Sequence, residues 1–385
     1  MILEKFPSIE EFYGQYWGKK PFIVRGYVAA EIIESLVDGD TLAGLALENE
    51  IKSRIITNND AGNEWSCEHG PFDETRFDDI GDKNWSLLVQ NVEQYHTETA
   101  ALFKGFHFSP RWLIDDIMVS FSAPNGSVGP HTDSYHTFLV QGMGKRAWKI
   151  SDHQIDDDQY AENLEMKVLK NGFDGQIYEV TAGDVIYTPP FFGHEGKTID
   201  AAMTFSVGFL GPKLSDILGD YAQYLEANET INERFLGESL SAQSASFMVG
   251  QATQLDIVER VKSSIVSNHF VSWMAEYFST PTHETIEDND DEQINNLSTA
   301  QLESALKQGA VLKRPEHIKL TITQDAHDDF YLGIYGEVIH IQKKNFSLVQ
   351  ALNDGGNIGI DNVKSAEVME TIHALYRQDV LVLES

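Results

Sequence analysis

His131 and Asp133 stand one residue apart in the run GPHTDSYHTFLVQGMGKRAWKI, residues 129–150. In an extended chain alternate side chains share a face. The spacing therefore predicts a strand with His131, Asp133, Tyr135 and Thr137 on one side and Thr132, Ser134 and His136 on the other. An imidazole and a carboxylate on one face can hold the same metal ion if a third ligand arrives from elsewhere, and His194, in PPFFGHEGKT after the strand and turn GDVIYTPP, is the best candidate. Two histidines and one carboxylate on one side of an ion form the facial triad of non-haem Fe(II) oxygenases, which leaves coordination positions open. A bare HxD with a later histidine also arises by chance, and a polar strand face can simply be solvated. Arg146 follows His131 by 15 residues on the next expected strand, with Lys145 and Lys149 alternating to the opposite face. A guanidinium buried beside a metal pocket needs an anion, and the distal carboxylate of 2-oxoglutarate matches its fork of donors. A surface salt bridge is an equal reading of that position taken alone.

Such residues need a rigid frame. Residues 1–110 mix a helix-like IEEFYGQYWGKK with an apolar strand PFIVRG, and from about 111 to 211 the pattern changes to short β runs: IDDIMVSFS, YHTFLVQ, KRAWKI, QIYEV, DVIYTPP and AMTFSVGFL. Glycine, proline, asparagine and aspartate separate them, which argues for a barrel or sandwich. The segment SDHQIDDDQYAENLE carries six acids and no lysine or arginine and is expected to be an exposed loop insertion. From about 212 to 305 the period becomes helical, with Leu255, Val258, Val261 and Ile265 near one face, available to other helices or to a second subunit. The acidic run ETIEDNDDEQINN is expected to be a linker before a small α/β terminus.

Composition excludes several functions. The 385 residues include 28 Lys and Arg against 60 Asp and Glu, a net charge of −32 that repels a nucleic-acid backbone. The same field favours a basic protein partner, or serves only as a solvated surface. The terminal segment 306–385 holds 8 basic and 11 acidic residues, so it lacks a DNA-binding footprint even if it is winged-helix-like. A single cysteine, Cys67, permits no intrachain disulfide. No apolar run reaches the roughly 18–20 residues that span a bilayer, and MILEKFPSIEEF lacks signal-peptide features, so a soluble cytoplasmic protein is expected. There is no GxGxxG or P-loop pattern. His136 should face away from the ligands, and His69, His96 and His107 share no ligand spacing.

The run from Gly129 to Ile150, with YWGKKPFIVRG, NWSLLVQNVEQYH, RWLIDDIMVSFS, GDVIYTPPFFGHEG and MTFSVGF, resembles the bacterial cupin or JmjC-type ribosomal oxygenases, specifically the ribosomal-protein arginine hydroxylase group. The resemblance covers roughly the first 211 residues. It implies an α+β protein: a catalytic double-stranded β-helix over 1–211, a helical dimerisation segment over 212–297 and a small winged-helix-like domain over 298–385. By resemblance His131, Asp133 and His194 hold Fe(II), Arg146 binds the 2-oxoglutarate carboxylate with Ser122, and the protein is a homodimer. Its substrate would be an arginine of a basic large-subunit ribosomal protein, with no direct nucleic-acid binding and no membrane.

The family's arginine-binding positions fall on Asp116, Met118, Tyr135 and Ser206. On IDDIMVSFS a period of two sets Asp116, Met118, Ser120 and Ser122 on one face. A carboxylate suits a guanidinium, a thioether and an aromatic ring suit its flat faces, and a hydroxyl adds a hydrogen bond. Without the resemblance, Met118 and Tyr135 would read as core and Asp116 as a strand-end residue. Two rivals stand beside this expectation: a related oxygenase acting on histidine or another side chain, and a non-catalytic binder of a basic ribosomal protein.

Overall fold

A computed structural model describes residues 1–385 apart from 107, 157, 158, 163, 165, 230, 238, 239, 241–246, 282–295 and 385. Two compact units divide the chain, Met1–Gly211 and Pro212–Ser385.

The first unit contains twelve strands among its described residues: β1 (Ile2–Leu3), β2 (Phe22–Val24), β3 (Ser53–Asn58), β4 (Trp65–His69), β5 (Trp85–Val89), β6 (Ile114–Ser122), β7 (His136–Met143), β8 (Lys145–Gln154), β9 (Gln176–Thr181), β10 (Val185–Thr188), β11 (Phe192–Thr198) and β12 (Ala202–Phe209). Nine of them form one sheet in the order β1-β2-β10-β7-β12-β6-β5-β3-β4, and β11-β8-β9 form a second. Every pairing is antiparallel except β1 with β2. These two sheets make the expected barrel.

Alternation decides what each face of the large sheet does. Along β12, Met203, Phe205, Val207 and Phe209 are buried in an apolar cluster with Phe12, Phe22, Phe106, Phe108 and Phe138. Burying so many aromatic rings fixes the sheet against the N-terminal elements, each ring removing about 150–250 Å² from water. The opposite residues Thr204, Ser206 and Gly208 face a cavity instead. Between the sheets a smaller cluster of Ile23, Leu139, Trp148, Ile150, Val180 and Ile186 fills the barrel. The helix expected over IEEFYGQYWGKK is short, an α-turn Ile9–Glu11 running into a π-helical turn Phe12–Tyr16 that buries Phe12 and Tyr16.

Two expectations need correction. The chain from Thr132 to Tyr135 is not strand: β7 begins at His136, and upstream only His131 makes a bridge, with His194. The acidic insertion does not begin as a loop either, since β8 continues through Ser151–Gln154, and within the insertion Tyr160 bridges Leu169.

In the second unit the helices Leu214–Ala227, Gln251–Ile265 and Asn268–Ser279 come first. The helix Asn268–Ser279 packs on the sheet of β14 (Leu320–Gln324), β15 (Phe330–Ile334) and β16 (Glu337–Ile341). Its approach is close: a Cβ on Gly333 would lie 1.8 Å from the Ala275 carbonyl oxygen. Helices Thr299–Lys307, Phe346–Asn353 and Ala366–Arg377, with β13 (Val311–Lys313) paired to β17 (Val382–Glu384), complete this unit around a core including Leu302, Leu332, Leu348 and Ile372. Apart from Asn296, the expected linker 284–296 lies outside the described residues. No helix among the described residues is long and apolar enough to cross a membrane.

Candidate active site

A cavity of about 570 Å³ opens between the two sheets of the first unit. Strands β8 and β11 of the small sheet contribute Arg146, Trp148 and His194. Strands β6 and β12 of the large sheet contribute Asp116, Met118, Ser120, Thr204, Ser206 and Gly208, and the segment before β7 contributes His131, Asp133 and Tyr135.

His131, Asp133 and His194 each offer one ligand atom, and the three atoms lie within 4.8 Å of one another. Backbone pairing brings the histidines together, His131 N–H donating to the His194 carbonyl at 3.1 Å and His194 N–H returning to His131 at 2.9 Å. Asp133 is held by its carbonyl, which accepts from the Phe191 N–H at 2.7 Å. Upstream, Gly129 at φ +84° makes the turn, and a Cβ there would lie 2.9 Å from Val168. Each imidazole has its Nδ1 against a backbone carbonyl, Gly129 at 2.9 Å for His131 and Phe192 at 3.1 Å for His194. With the proton on Nδ1, both Nε2 atoms are free to ligate a metal. His194 Nε2 lies 3.3 Å from Asp133 Oδ2.

Protonation follows from this geometry. Burial, reinforced by His194, pushes His131 down to about 4. Burial alone would lower His194 and raise Asp133. Their mutual hydrogen bond and charge override it, so His194 is raised and Asp133 lowered. One neutral imidazole and one imidazole–carboxylate pair make a donor set in which a divalent cation can take the place of a proton.

Arg146 is 4% exposed and lines the same cavity. Its Nε donates to Thr198 Oγ1 at 3.1 Å and its Nη1 to Thr204 Oγ1 at 2.9 Å and Ser120 Oγ at 3.4 Å, while its Nη2 donates to Ser122. No carboxylate pairs with it among the described residues. Burial draws its pKa down to about 10. Ser122 does not line the cavity. It is fully buried behind the guanidinium, where its hydroxyl donates to Ser86 at 2.7 Å. This donor set fits an anion: among the described residues the buried cation has hydroxyl hydrogen-bond partners and the Trp148 ring, 5.6 Å away, but no counter-charge of the kind buried charges require.

Asp116 stands at the other end of the large-sheet wall. Its Oδ2 accepts a long hydrogen bond from the Asn91 N–H, at 3.4 Å, where Asn91 takes a left-handed conformation. Burial raises Asp116 to about 7, with the charges of Glu93 and Asp115 adding and Arg54 opposing. Glu93 is 1% exposed, is itself raised by burial, and accepts from the Ile117 N–H at 2.9 Å. Tyr135 is raised by burial and by the charges of Asp133 and Asp116.

His136 points away, stacked on Trp17 at 3.6 Å and hydrogen-bonded to Tyr187 at 2.8 Å. His96 caps the helix Thr97–Ala100, His69 lies 3.9 Å from Cys67 Sγ, and His107 lies outside the described residues. Four features at or next to the cavity escaped sequence reasoning: Arg54 from β3, with Nη2 4.0 Å from Met118 Sδ; Asp115; Glu93, which does not line the cavity but accepts from the Ile117 N–H of β6; and Tyr160 from within the acidic insertion with Met166–Val168 just after it. Glu93 carried no usable signal, because in VQNVEQY it sits among the polar residues Gln90, Asn91 and Gln94. Asp115 depends on a bulge that period-two reasoning cannot see.

A two-sheet barrel with two imidazoles and one carboxylate at its mouth and an unneutralised arginine within is the architecture of a JmjC-type oxygenase. Residues 101–217 match the JmjC domain and residues 259–382 the ROXA-like winged helix. The chain is 34% identical over 278 residues to the Escherichia coli ribosomal protein uL16 3-hydroxylase, covering 71% of this chain and 72% of that protein. It is also 34% identical over 210 residues to a probable ribosomal oxygenase of Haemophilus influenzae, covering 54% and 51%. The crystal structure of E. coli YcfD superposes with a TM-score of 0.84 at 28% identity over all of both chains. The complex of the ribosomal oxygenase YcfD with cobalt and 2-oxoglutarate gives 0.81 at 28% identity over 99% of each. The chain belongs to the JmjC-type ribosomal oxygenases, whose cofactors are Fe(II) and 2-oxoglutarate.

The raised Asp116 has a stability consequence. A carboxyl ionising near 7 when folded, against an ordinary 3.8, costs the folded state stability from about pH 4 upward, and the cost levels off above about 7. Asp116→Asn should therefore melt at higher temperature than wild type at pH 8, with the difference shrinking as pH falls toward 4. Calorimetry of both proteins from pH 4.5 to 8.5 measures it, and a difference independent of pH would show that Asp116 is not strained by its ionisation.

Proposed function

We propose that this protein hydroxylates an arginine side chain of a large-subunit ribosomal protein, using Fe(II) and 2-oxoglutarate. The observation that carries the cosubstrate assignment is Arg146, buried with no carboxylate partner among the described residues and lining the same cavity as His131, Asp133 and His194. The arginine substrate is supported by Asp116 and Asp115 at the opposite end, flanked by Met118, Tyr135 and Ser206. A histidine substrate would gain less from paired carboxylates, because it carries its charge only when protonated.

When bound, Fe(II) with 2-oxoglutarate and dioxygen supplies the oxidising power that inserts one oxygen atom into a C–H bond, the second atom leaving in succinate alongside carbon dioxide. The chain's own residues bind and orient. His131, Asp133 and His194 would hold the metal on one face. Arg146 would pair with the distal carboxylate of the cosubstrate, with Ser122 fixing the guanidinium from behind. Asp116 would accept the substrate guanidinium, Met118 and Tyr135 would cover its flat faces, and Ser206 would offer one hydrogen bond. No proton need be moved by a side chain for the C–H bond itself.

A homodimer through the helical segment is part of this proposal. Leu255, Val258 and Val261 of the helix Gln251–Ile265 are 56%, 45% and 53% exposed, an apolar row that a second copy would cover. We place the protein in the cytoplasm, where its substrate is made, and assign the acidic surface to attraction of a basic ribosomal protein rather than of nucleic acid.

Mass spectrometry of large-subunit ribosomal proteins from cells with and without the gene tests the activity. One arginine, sought first in uL16 because of the named relative, should lose one oxygen atom when the gene is absent; identical spectra would refute the proposal. Arg146→Met should raise the 2-oxoglutarate concentration needed for half-saturation about tenfold or more, since a charge-assisted pair is worth about 1.5–3 kcal/mol. Anaerobic titration of the metal-loaded protein reads it directly, and an unchanged titration would assign the cosubstrate to another cation.

A further inference from the structure

The wall formed by β6 and β12 breaks its own regularity at the substrate end. Val207 pairs with Ile117 and Phe209 with Ile114, so between these pairs Gly208 alone faces two residues, Asp115 and Asp116. Such a bulge re-aims side chains. In a regular strand adjacent residues point to opposite faces, yet both Asp115 and Asp116 line the cavity. The one residue opposite them has no side chain. A Cβ at Gly208 would lie 3.6 Å from Asp116 Oδ1 and 3.7 Å from Tyr135 Cε2, and no other heavy atom comes within 4 Å. Gly208 is not demanded by backbone conformation, because its φ lies outside the left-handed range. Nor is it demanded by packing, because both distances are ordinary van der Waals contacts. Alanine would fit the folded protein, so what a methyl there would occupy is the space between the carboxylate and the ring.

We infer that Gly208 is a specificity-determining residue: its missing side chain keeps open a slot between the Asp116 carboxylate and the Tyr135 ring that takes a planar cation, a guanidinium. This rests on the proposal that the cavity receives an arginine side chain, and it adds why that side chain fits. A guanidinium donating to Asp116 Oδ1 while lying against Tyr135 needs the volume that a Cβ on residue 208 would take. Asp115, brought to the cavity by the bulge, supplies a second negative charge, so the slot favours a delocalised cation over a neutral group of the same shape. Gly208 acts by position alone.

Test peptides come in three versions, basic and identical except for one central arginine, citrulline or lysine, with binding to full-length protein followed by fluorescence anisotropy and turnover by mass spectrometry. Wild type should bind the arginine peptide more tightly than the citrulline peptide. In Gly208→Ala the dissociation constant and KM for the arginine peptide should rise about tenfold or more, the scale set by one misplaced methyl in a fitted pocket. At saturating peptide kcat should change far less, and the thermal midpoint and 2-oxoglutarate titration should match wild type. Asp115→Asn, an independent probe needing no new volume, should weaken the arginine peptide and narrow its advantage over citrulline. If wild type hydroxylates the arginine peptide while both variants bind and turn it over unchanged, the slot is wrong and the proposed function stands. If wild type binds arginine selectively through Gly208 and Asp115 but never oxidises it, the slot stands and the proposed activity falls. Equal wild-type binding of arginine and citrulline peptides overturns the slot outright.

Discussion

A guanidinium buried without a carboxylate partner is the constraint around which the barrel is arranged. Removing a cation from water costs several kcal/mol, and hydrogen bonds donated to neutral oxygens offset only part of that cost. Arg146 is fastened at three of its nitrogens by hydroxyls from β6, β11 and β12, so strands of both sheets must be in register for the charge to be tolerated at all. Its place is consequently rigid, and the unmet requirement is for one negative group. The cluster of His131, Asp133 and His194 depends on the same register, because His194 lies on β11 four residues before Thr198, the residue that holds Arg146 Nε.

Along the large sheet, chemistry is ordered by alternation. Same-face residues Thr204, Ser206 and Gly208 of β12 run opposite Ser120, Met118 and the Asp115–Asp116 pair of β6. At about 3.3 Å per residue the two ends of this wall are roughly 13 Å apart. On the proposed function an anion binds at the Thr204 end and a cation at the Gly208 end. Opposite charges would therefore enter one cavity without contesting one site, and Tyr135 stands between Asp133 and Asp116. The raised Asp116 fits that division: a carboxylate made reluctant to ionise by burial and by its acidic neighbours is stabilised when a cation arrives.

How much of this was legible in the sequence depended on regularity. The barrel strands were readable because apolar runs and turn residues alternate cleanly between 111 and 211, and the face carrying Asp116, Met118, Ser120 and Ser122 followed from a period of two. His131, Asp133 and His194 were found by a strand argument that the chain does not obey. Thr132–Tyr135 bend away from the sheet, and the three groups meet because His131 and His194 share a backbone bridge. Asp115 was invisible for the opposite reason, since a bulge turned it to the face that a regular strand denies it. Ser122 was placed on the right strand face, but its position behind Arg146 could not be read from period alone. Arg54 comes from a strand more than 60 residues upstream of the site, with nothing in its own neighbourhood to mark it.

The central claim is that one cavity uses an anion-seeking end to hold a cosubstrate and a cation-seeking end to choose arginine. A mixture of three basic peptides differing only in a central arginine, lysine or histidine, incubated with the Fe(II)-loaded full-length protein, 2-oxoglutarate and air, measures that choice most directly. Tandem mass spectrometry should find one added oxygen on the arginine side chain alone, dependent on 2-oxoglutarate. Oxygen added to histidine or lysine in preference to arginine would contradict the account.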